Sequence, residues 1–258
     1  MDLALNNALF IVCGASSGFG EALARKLVAE GATVIGISRR EAPLQVMTSE
    51  LGKRFEFVVA DLTELEHHAR VWEKVGDRTL TGAVINAGGP PATQAIETDL
   101  ATWDQGYQQV MRWKIAFMQG LLPRLQAAKY GRILLIESVS VKQPMPNLVL
   151  SNAFRSAVVS YIKTLSREVA GDGITMNILA PGWHETSAIN RIIDKRIELS
   201  GQSRAEILTG IEATIPTGNM GNPADMAELG VWLLSEGSRY MTGQTITVDG
   251  GSVQGLFG

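Results

Sequence analysis

A run of small residues near the start of the chain carries its clearest chemistry. Cys13-Gly14-Ala15-Ser16-Ser17-Gly18-Phe19-Gly20 follows a short apolar segment and opens an amphipathic one. Glycines spaced G-x-x-x-G-x-G let backbone N–H groups approach a pyrophosphate, and a helix starting there adds partial positive charge. Gly14, Ser16, Ser17, Gly18, Phe19 and Gly20 are therefore candidate dinucleotide contacts. The second apolar segment ends in Ile37-Ser38-Arg39-Arg40. An NAD site places an acid here for the ribose hydroxyls, whereas an NADP site places a cation for the extra phosphate. Ser38 stands where the acid would be, and Arg39 follows with Arg40 behind it. This favours NADP(H), while Glu41 keeps NAD(H) open. A solvated pair of surface arginines is the alternative.

These residues need a scaffold, and the apolar pattern supplies one. Short β-branched runs occur at Leu9–Cys13, Thr33–Ile37, Phe55–Ala60, Gly82–Asn86, Arg132–Glu137, Thr175–Leu179 and Thr245–Asp249. They are apolar on successive residues, as strands buried on both faces of a parallel sheet are. Between them lie helical patterns, such as Ala22, Leu23, Leu27 and Val28 within Glu21–Glu30. The alternation predicts an α/β fold: a Rossmann-type doubly wound parallel sheet of about seven strands flanked by helices. No linker interrupts it, so residues 1–258 read as a single domain. The long excursion 183–216 reads as a helical substrate flap, with a plain surface hairpin as the alternative. Ser203-Arg204-Ala205-Glu206 is a capping-box start, and Asn222-Pro223 a second helix start.

Composition excludes several classes. With 258 residues and 45% hydrophobic content the chain can bury a full core. Its net charge of −3 argues against a nucleic-acid binder. A single cysteine, Cys13, rules out an internal disulfide and suits a cytoplasmic protein. No apolar run is long enough to span a bilayer, and the acidic Met1-Asp2-Leu3 start gives no secretory signal. No His/Cys/Asp cluster has metal spacing.

The motifs, taken in order, resemble the short-chain dehydrogenase/reductase family along nearly the whole chain. Gly14–Gly20 is similar to its cofactor turn, with Cys13 in place of a Thr. Asp61-Leu62 resembles its adenine-contacting pair, although Asp61 could serve as a helix cap alone. Asn86-Ala87-Gly88-Gly89 resembles its Asn-Ala-Gly turn, and Gly131 to Ser138 its catalytic-serine strand. Asn177 to Pro181-Gly182-Trp183, then Thr186, resembles its nicotinamide-side loop. Tyr240-Met241-Thr242-Gly243 to Asp249-Gly250-Gly251 resembles its closing strand. The resemblance implies a hydride-transferring oxidoreductase, a small carbonyl or alcohol substrate, and a homodimer or homotetramer. Val158, Tyr161, Ile162 and Leu165 could serve the subunit face or the core.

The same resemblance implies a tetrad of Asn, Ser, Tyr and Lys. Ser138 matches. Thr164 to Ala170 fixes the register downstream and places Ser151 at the Tyr position and Arg155 at the Lys position. Trp103-Asp104 and Leu122-Pro123 place Val110 at the Asn position. A serine hydroxyl is far harder to ionise than a phenol with a pKa of about 10. Arg155 can hold a ribose hydroxyl but cannot relay a proton. The pattern Ser-Asn-x-x-Arg resembles a divergent, 3-oxoacyl-carrier-protein-reductase-like branch. Other proton donors are Lys142, four residues past Ser138, and Lys114, one turn beyond Val110, both otherwise ordinary surface lysines. His184 could face the nicotinamide, whereas His67 and His68 read as solvated. The rival readings are a dinucleotide-binding protein without dehydrogenase activity, as sensor or scaffold, and a lyase or epimerase on the same fold. The flap's Ile189, Ile192, Ile193, Ile197 and Leu199 suggest an apolar lining, with core packing equally open.

Overall fold

Strands that are apolar on every residue need cover on both faces, and the chain supplies it. The computed structural model describes residues 2–256, apart from the side chains of Ala188, Arg191, Lys195 and Leu199. Its strands are β1 (Leu9–Cys13), β2 (Thr33–Ser38), β3 (Phe55–Val59), β4 (Gly82–Asn86), β5 (Gly131–Ile136), β6 (Ile174–Pro181) and β7 (Thr245–Val248). They form one parallel sheet in the order β3-β2-β1-β4-β5-β6-β7. The strand order reverses between β1 and β4. That is the switch point where doubly wound sheets open a crevice at their carboxyl ends.

Alternate residues feed two cores. Leu9, Ile11 and Cys13 face α3 (His68–Val75), α5 (Trp113–Ala128) and α6 (Val149–Val169). Phe10 and Val12 face α1 (Gly18–Ala29), α2 (Glu41–Leu51) and α9 (Pro223–Leu233). The expected strands are present within one or two residues at each end, but α1 begins at Gly18, inside the glycine turn, rather than at Glu21. Asn222 caps α9 and Pro223 opens it, as its sequence signals.

Burial bears on one reading that the sequence leaves open and corrects another. Val158 and Ile162 lie in the core, with Tyr161 and Leu165 packed against it. His68 is not solvated. It is buried, with Nε2 2.8 Å from the Leu62 carbonyl, while Nδ1 of the half-buried His67 lies 3.1 Å from the Asp61 carbonyl. The two histidines therefore fasten the turn that carries Asp61.

The excursion 183–216 forms α7 (Ser187–Ser200) and α8 (Arg204–Glu212), the second opened by the expected reciprocal Ser203–Glu206 capping box. Most of its described apolar residues pack on one another. Ile189 and Ile193 are buried against Ile207, Ile211, Ile215 and Met220, with Trp183 and Ile197 alongside. A two-helix unit attached by one edge must bury its own apolar stripe, and this one does so internally. Ile192 is exposed, and the side chain of Leu199 lies outside the described residues. Among the described residues no helix is long and apolar enough to cross a membrane.

Candidate active site

The crevice at the carboxyl ends of β1 and β4 is floored by the glycine turn. Gly14 and Gly18 adopt left-handed backbone angles, φ +68° and +58°. A Cβ on Gly20 would fall 2.2 Å from the Gly14 carbonyl oxygen, so only glycine lets α1 start this close beneath β1. Asn86 at the end of β4 lies directly against Gly14, and Thr186 lies over Gly18. The turn is thus gripped between the Asn86-Ala87-Gly88 segment and the Pro181–Thr186 loop. Gly88 is exposed and faces open space. His184 is packed edge-on against Phe19 with ring centroids 5.0 Å apart, and sits in a notch that a Cβ on Gly221 would fill. Burial lowers its pKa, so it is a neutral wedge holding this loop to the turn.

Of the two arginines, Arg40 is the one turned onto the glycine turn. Its Nη2 donates to Ser17 Oγ at 2.8 Å and to Ser16 Oγ at 3.0 Å, and Ser38 Oγ donates to Ser16 Oγ at 2.7 Å. Arg39, which the sequence points to first, is 78% exposed and reaches toward Asp61 at 3.6 Å. Asp61 is no helix cap. Its Oδ1 accepts from the Thr63 N–H and hydroxyl, closing a turn well before α3. Partial burial raises its pKa, but Thr63 and Arg39 outweigh this and hold the carboxyl below the ordinary aspartate range.

The other half of the crevice lies where β5, α5 and α6 meet. The helical stretch α4 (Leu100–Tyr107) does not pass smoothly into α5; it widens into a π turn over Gln108–Arg112. Such turns shift the phase of everything that follows. Val110, at the expected Asn position, is buried in this turn. Lys114 emerges from it pointing inward and is 1% exposed. It is not a surface lysine: its Nζ donates to Glu137 Oε1 at 2.5 Å. The other Glu137 oxygen accepts from Arg155 Nη1 at 2.9 Å. Arg155 Nε donates to Ser151 Oγ at 3.1 Å, one turn back on α6. Among the described residues its Nη2 has no hydrogen-bond partner, and it faces Gly89.

Ser151, Arg155, Glu137 and Lys114 thus form one buried chain of polar groups beside Ser138. The Ser138 hydroxyl accepts from the Ser140 N–H at 3.2 Å and is half-buried. Lys142 is half-buried at the end of the short helical turn Val139–Val141. Burial pushes the Lys114 ammonium below its usual range; Glu137 opposes that and Arg155 adds to it. Burial also pushes the Cys13 thiol far up, which keeps it neutral. Asn152 explains the remaining letter of Ser-Asn-x-x-Arg. It accepts from the Met145 N–H at 3.2 Å and donates to the Met145 carbonyl at 2.9 Å, tying the loop after Ser138 to α6.

Glu137 is the residue that reading the motifs missed. Its signal was present: an acid directly after the unbroken apolar run Ile133–Ile136, which is buried on both faces. Among the described residues no group of His, Cys, Asp and Glu could hold a metal ion.

Comparison with known proteins agrees with this architecture. A family model described as enoyl-(acyl carrier protein) reductase matches residues 14–253. Nodulation protein G of Rhizobium sp. (strain N33) is 31% identical over 244 residues, covering 93% of this chain and 95% of that protein. The 3-oxoacyl-(acyl-carrier-protein) reductase of Rickettsia bellii (strain RML369-C) is 30% identical, covering 96% of this chain and 97% of that one. The crystal structure of L-sorbose reductase from Gluconobacter frateurii, complexed with NADPH and L-sorbose, has a TM-score of 0.93 at 25% identity. It covers 99% of this chain and 100% of that one.

Proposed function

Since the chain belongs to the short-chain dehydrogenase/reductase family, we propose that it is an NADP(H)-dependent oxidoreductase acting on a small carbonyl or alcohol through a serine-centred site. The observation that carries this reading is the contact of Arg155 with Ser151. The hydroxyl at the phenol's place accepts a charged hydrogen bond, which leaves its own hydrogen for a substrate oxygen. Ser138, the residue after Glu137, offers a second hydroxyl. A 3-oxoacyl-(acyl-carrier-protein) reductase and an L-sorbose reductase among the similar proteins support a ketone as the group reduced.

The residues present fit a dinucleotide. Gly20 leaves no room for a side chain beneath the turn, Gly88 opens onto free space, and Arg155 Nη2 has no partner among the described residues. In this reading Gly14, Ser16, Ser17, Gly18, Phe19 and Gly20 hold the pyrophosphate, and Asp61 and Leu62 border the adenine. Asn86, Ala87, Gly88 and Arg155 hold the nicotinamide ribose, and Pro181, Gly182, Trp183 and Thr186 flank the ring. Arg40 with Ser16, Ser17 and Ser38 supports NADP over NAD, because three hydroxyls and a guanidinium suit a phosphate and none of them suits ribose as an acid would. Arg39 supplies a second cation at the rim. When bound, the nicotinamide supplies or accepts hydride.

The protein's own part is to fix and charge the substrate oxygen. Ser138 and Ser151 donate to it, and Arg155 backs Ser151. Lys114 lies behind Glu137 and acts on the oxygen through the field of the cluster. Lys142 or water then supplies the proton. Calorimetry with NADPH and NADH, followed by nicotinamide absorbance over a panel of ketones and alcohols, tests the reading. NADPH binding with turnover of a ketone supports it. Binding without turnover across the panel leaves a dinucleotide-binding sensor or scaffold, the reading that the replaced tetrad positions favour. Product without net redox change leaves a lyase or epimerase. We also propose a homodimer or homotetramer, which sedimentation or scattering tests.

A further inference from the structure

The buried cluster is unbalanced. Arg155 is a permanent cation and Lys114 in its protonated form is a second, a form that burial disfavours and Glu137 favours; among the described residues Glu137 is the one carboxylate in ion-pair contact with either. The Glu137 side chain is fully buried, so water does not screen the excess. Cys13, the other ionisable group acting on Lys114, is buried and neutral and offers no compensating charge. Holding an uncompensated charge out of water is strongly unfavourable. A fold keeps such a charge where a ligand or a transition state supplies the missing negative partner, because fixed charges aimed at a developing oxyanion need not reorganise when it forms. The excess positive charge is directed toward the crevice: Arg155 Nη2 faces Gly89 without a partner among the described residues, and the Ser151 hydroxyl is polarised by Arg155 Nε.

We infer that Lys114, Glu137 and Arg155 act together as a fixed positive charge that binds an anionic oxygen at Ser138 and Ser151, so that the site takes ligands bearing an oxyanion on carbon, enolates above all. This rests on the reading of the crevice as a carbonyl-reducing centre. It assigns Glu137 and Lys114 as positioning residues that set the size of the charge, and it makes a stable enolate a mimic of the alkoxide-like state.

The test uses 2,4-pentanedione, a 1,3-diketone that ionises to an enolate with its own ultraviolet band, titrated into the full-length protein with and without NADP+. The expected result is binding as the enolate, with the apparent ionisation of the bound diketone lowered by about one pH unit or more. Lys114→Met removes a positive charge and is expected to weaken enolate binding roughly tenfold, whereas Glu137→Gln removes the negative one and is expected to tighten it by a similar factor. A purely structural role predicts the same sign for both. Equal weakening by the two substitutions, or binding of the neutral diketone alone, overturns the inference. Should Glu137→Gln not fold, the wild-type ionisation shift still decides, and an unshifted or raised value overturns it. NADP+ affinity, measured by calorimetry on the same samples, reports separately on the cofactor reading, because the titration without NADP+ does not depend on it.

Discussion

Arg155 reaches back one turn along α6 and donates its Nε hydrogen to the Ser151 hydroxyl at 3.1 Å. The two residues stand where the family resemblance places a tyrosine and a lysine, and they form a couple of a different kind. The phenol's own acidity is gone, and in its place stands a hydroxyl whose hydrogen-bonding direction is set by a permanent cation. Ser151→Ala is expected to lower kcat on a ketone by about 10²-fold, the usual cost of one oxyanion donor. Arg155→Lys is expected to cost at least as much, because an ammonium cannot serve Ser151, Glu137 and the Gly89 side with one rigid fork. Steady-state kinetics on the two variants checks both, and undiminished turnover in Ser151→Ala would remove the serine from the mechanism.

Restoring the ordinary pair is a sharper experiment. Ser151→Tyr with Arg155→Lys puts a large ring into a buried position and breaks the fork that holds Glu137. The expected outcome is loss of activity rather than gain, measured by nicotinamide absorbance. A large gain from a silent background would instead mark the natural chain as a binder that had lost catalysis.

Arg40 is expected to decide between the two cofactors. Its guanidinium already spans Ser16 and Ser17. Arg40→Ala is predicted to weaken NADPH by about tenfold or more, since a charge-assisted contact to phosphate is worth roughly 1.5–3 kcal/mol. NADH affinity should change little. Calorimetric titration of both cofactors checks this, and equal losses would move the phosphate contact elsewhere.

The parts legible in the sequence were those written in local pattern. Runs such as Leu9–Cys13, apolar on successive residues, declare a strand covered on both faces, and the glycine turn declares its own backbone. Ser203–Glu206 and Asn222-Pro223 declare helix starts. What escaped depends on phase and on distant partners. Nothing in Gln108–Arg112 marks a π turn, so Lys114 reads as a surface residue although the turn carries it into the core. Glu137 looks like a polar residue just past β5 until Lys114, twenty-three residues away, and Arg155, eighteen residues away, are brought to it by the fold. Arg39 and Arg40 are adjacent and chemically identical. Only the twist at the end of β2 separates the one facing the serines from the one facing Asp61.

The stability of the cluster should be asymmetric. Glu137→Ala leaves the buried Arg155 and Lys114 without their carboxylate and is expected to cost about 3–5 kcal/mol. Lys114→Met leaves Glu137 paired with Arg155 and replaces a buried charge with an apolar chain of similar length, so its cost should be small, of either sign. Urea unfolding of the two variants measures the difference. Equal costs would mean that Lys114 and Arg155 are not sharing one carboxylate.

His68 gives the fold an acid-sensitive point. Burial lowers its pKa below the ordinary histidine value, with the Leu62 carbonyl opposing the shift. The folded state therefore binds fewer protons than the unfolded chain between the lowered value and about 6.5. Stability from this residue is fully present above that window and is lost as pH falls through it. The segment affected is the turn carrying Asp61 and Leu62, since the Nε2 contact to the Leu62 carbonyl and the edge-on packing of the ring against Phe117 both depend on burial. His68→Gln can keep a hydrogen bond to Leu62 without titrating. Its unfolding free energy is expected to vary less between about pH 8 and pH 5 than that of the natural chain. Urea titrations at the two pH values check this, and an unchanged difference would place the acid sensitivity on another group, of which the buried His184 at the cofactor loop is next in line because its pKa is lowered by the same cause.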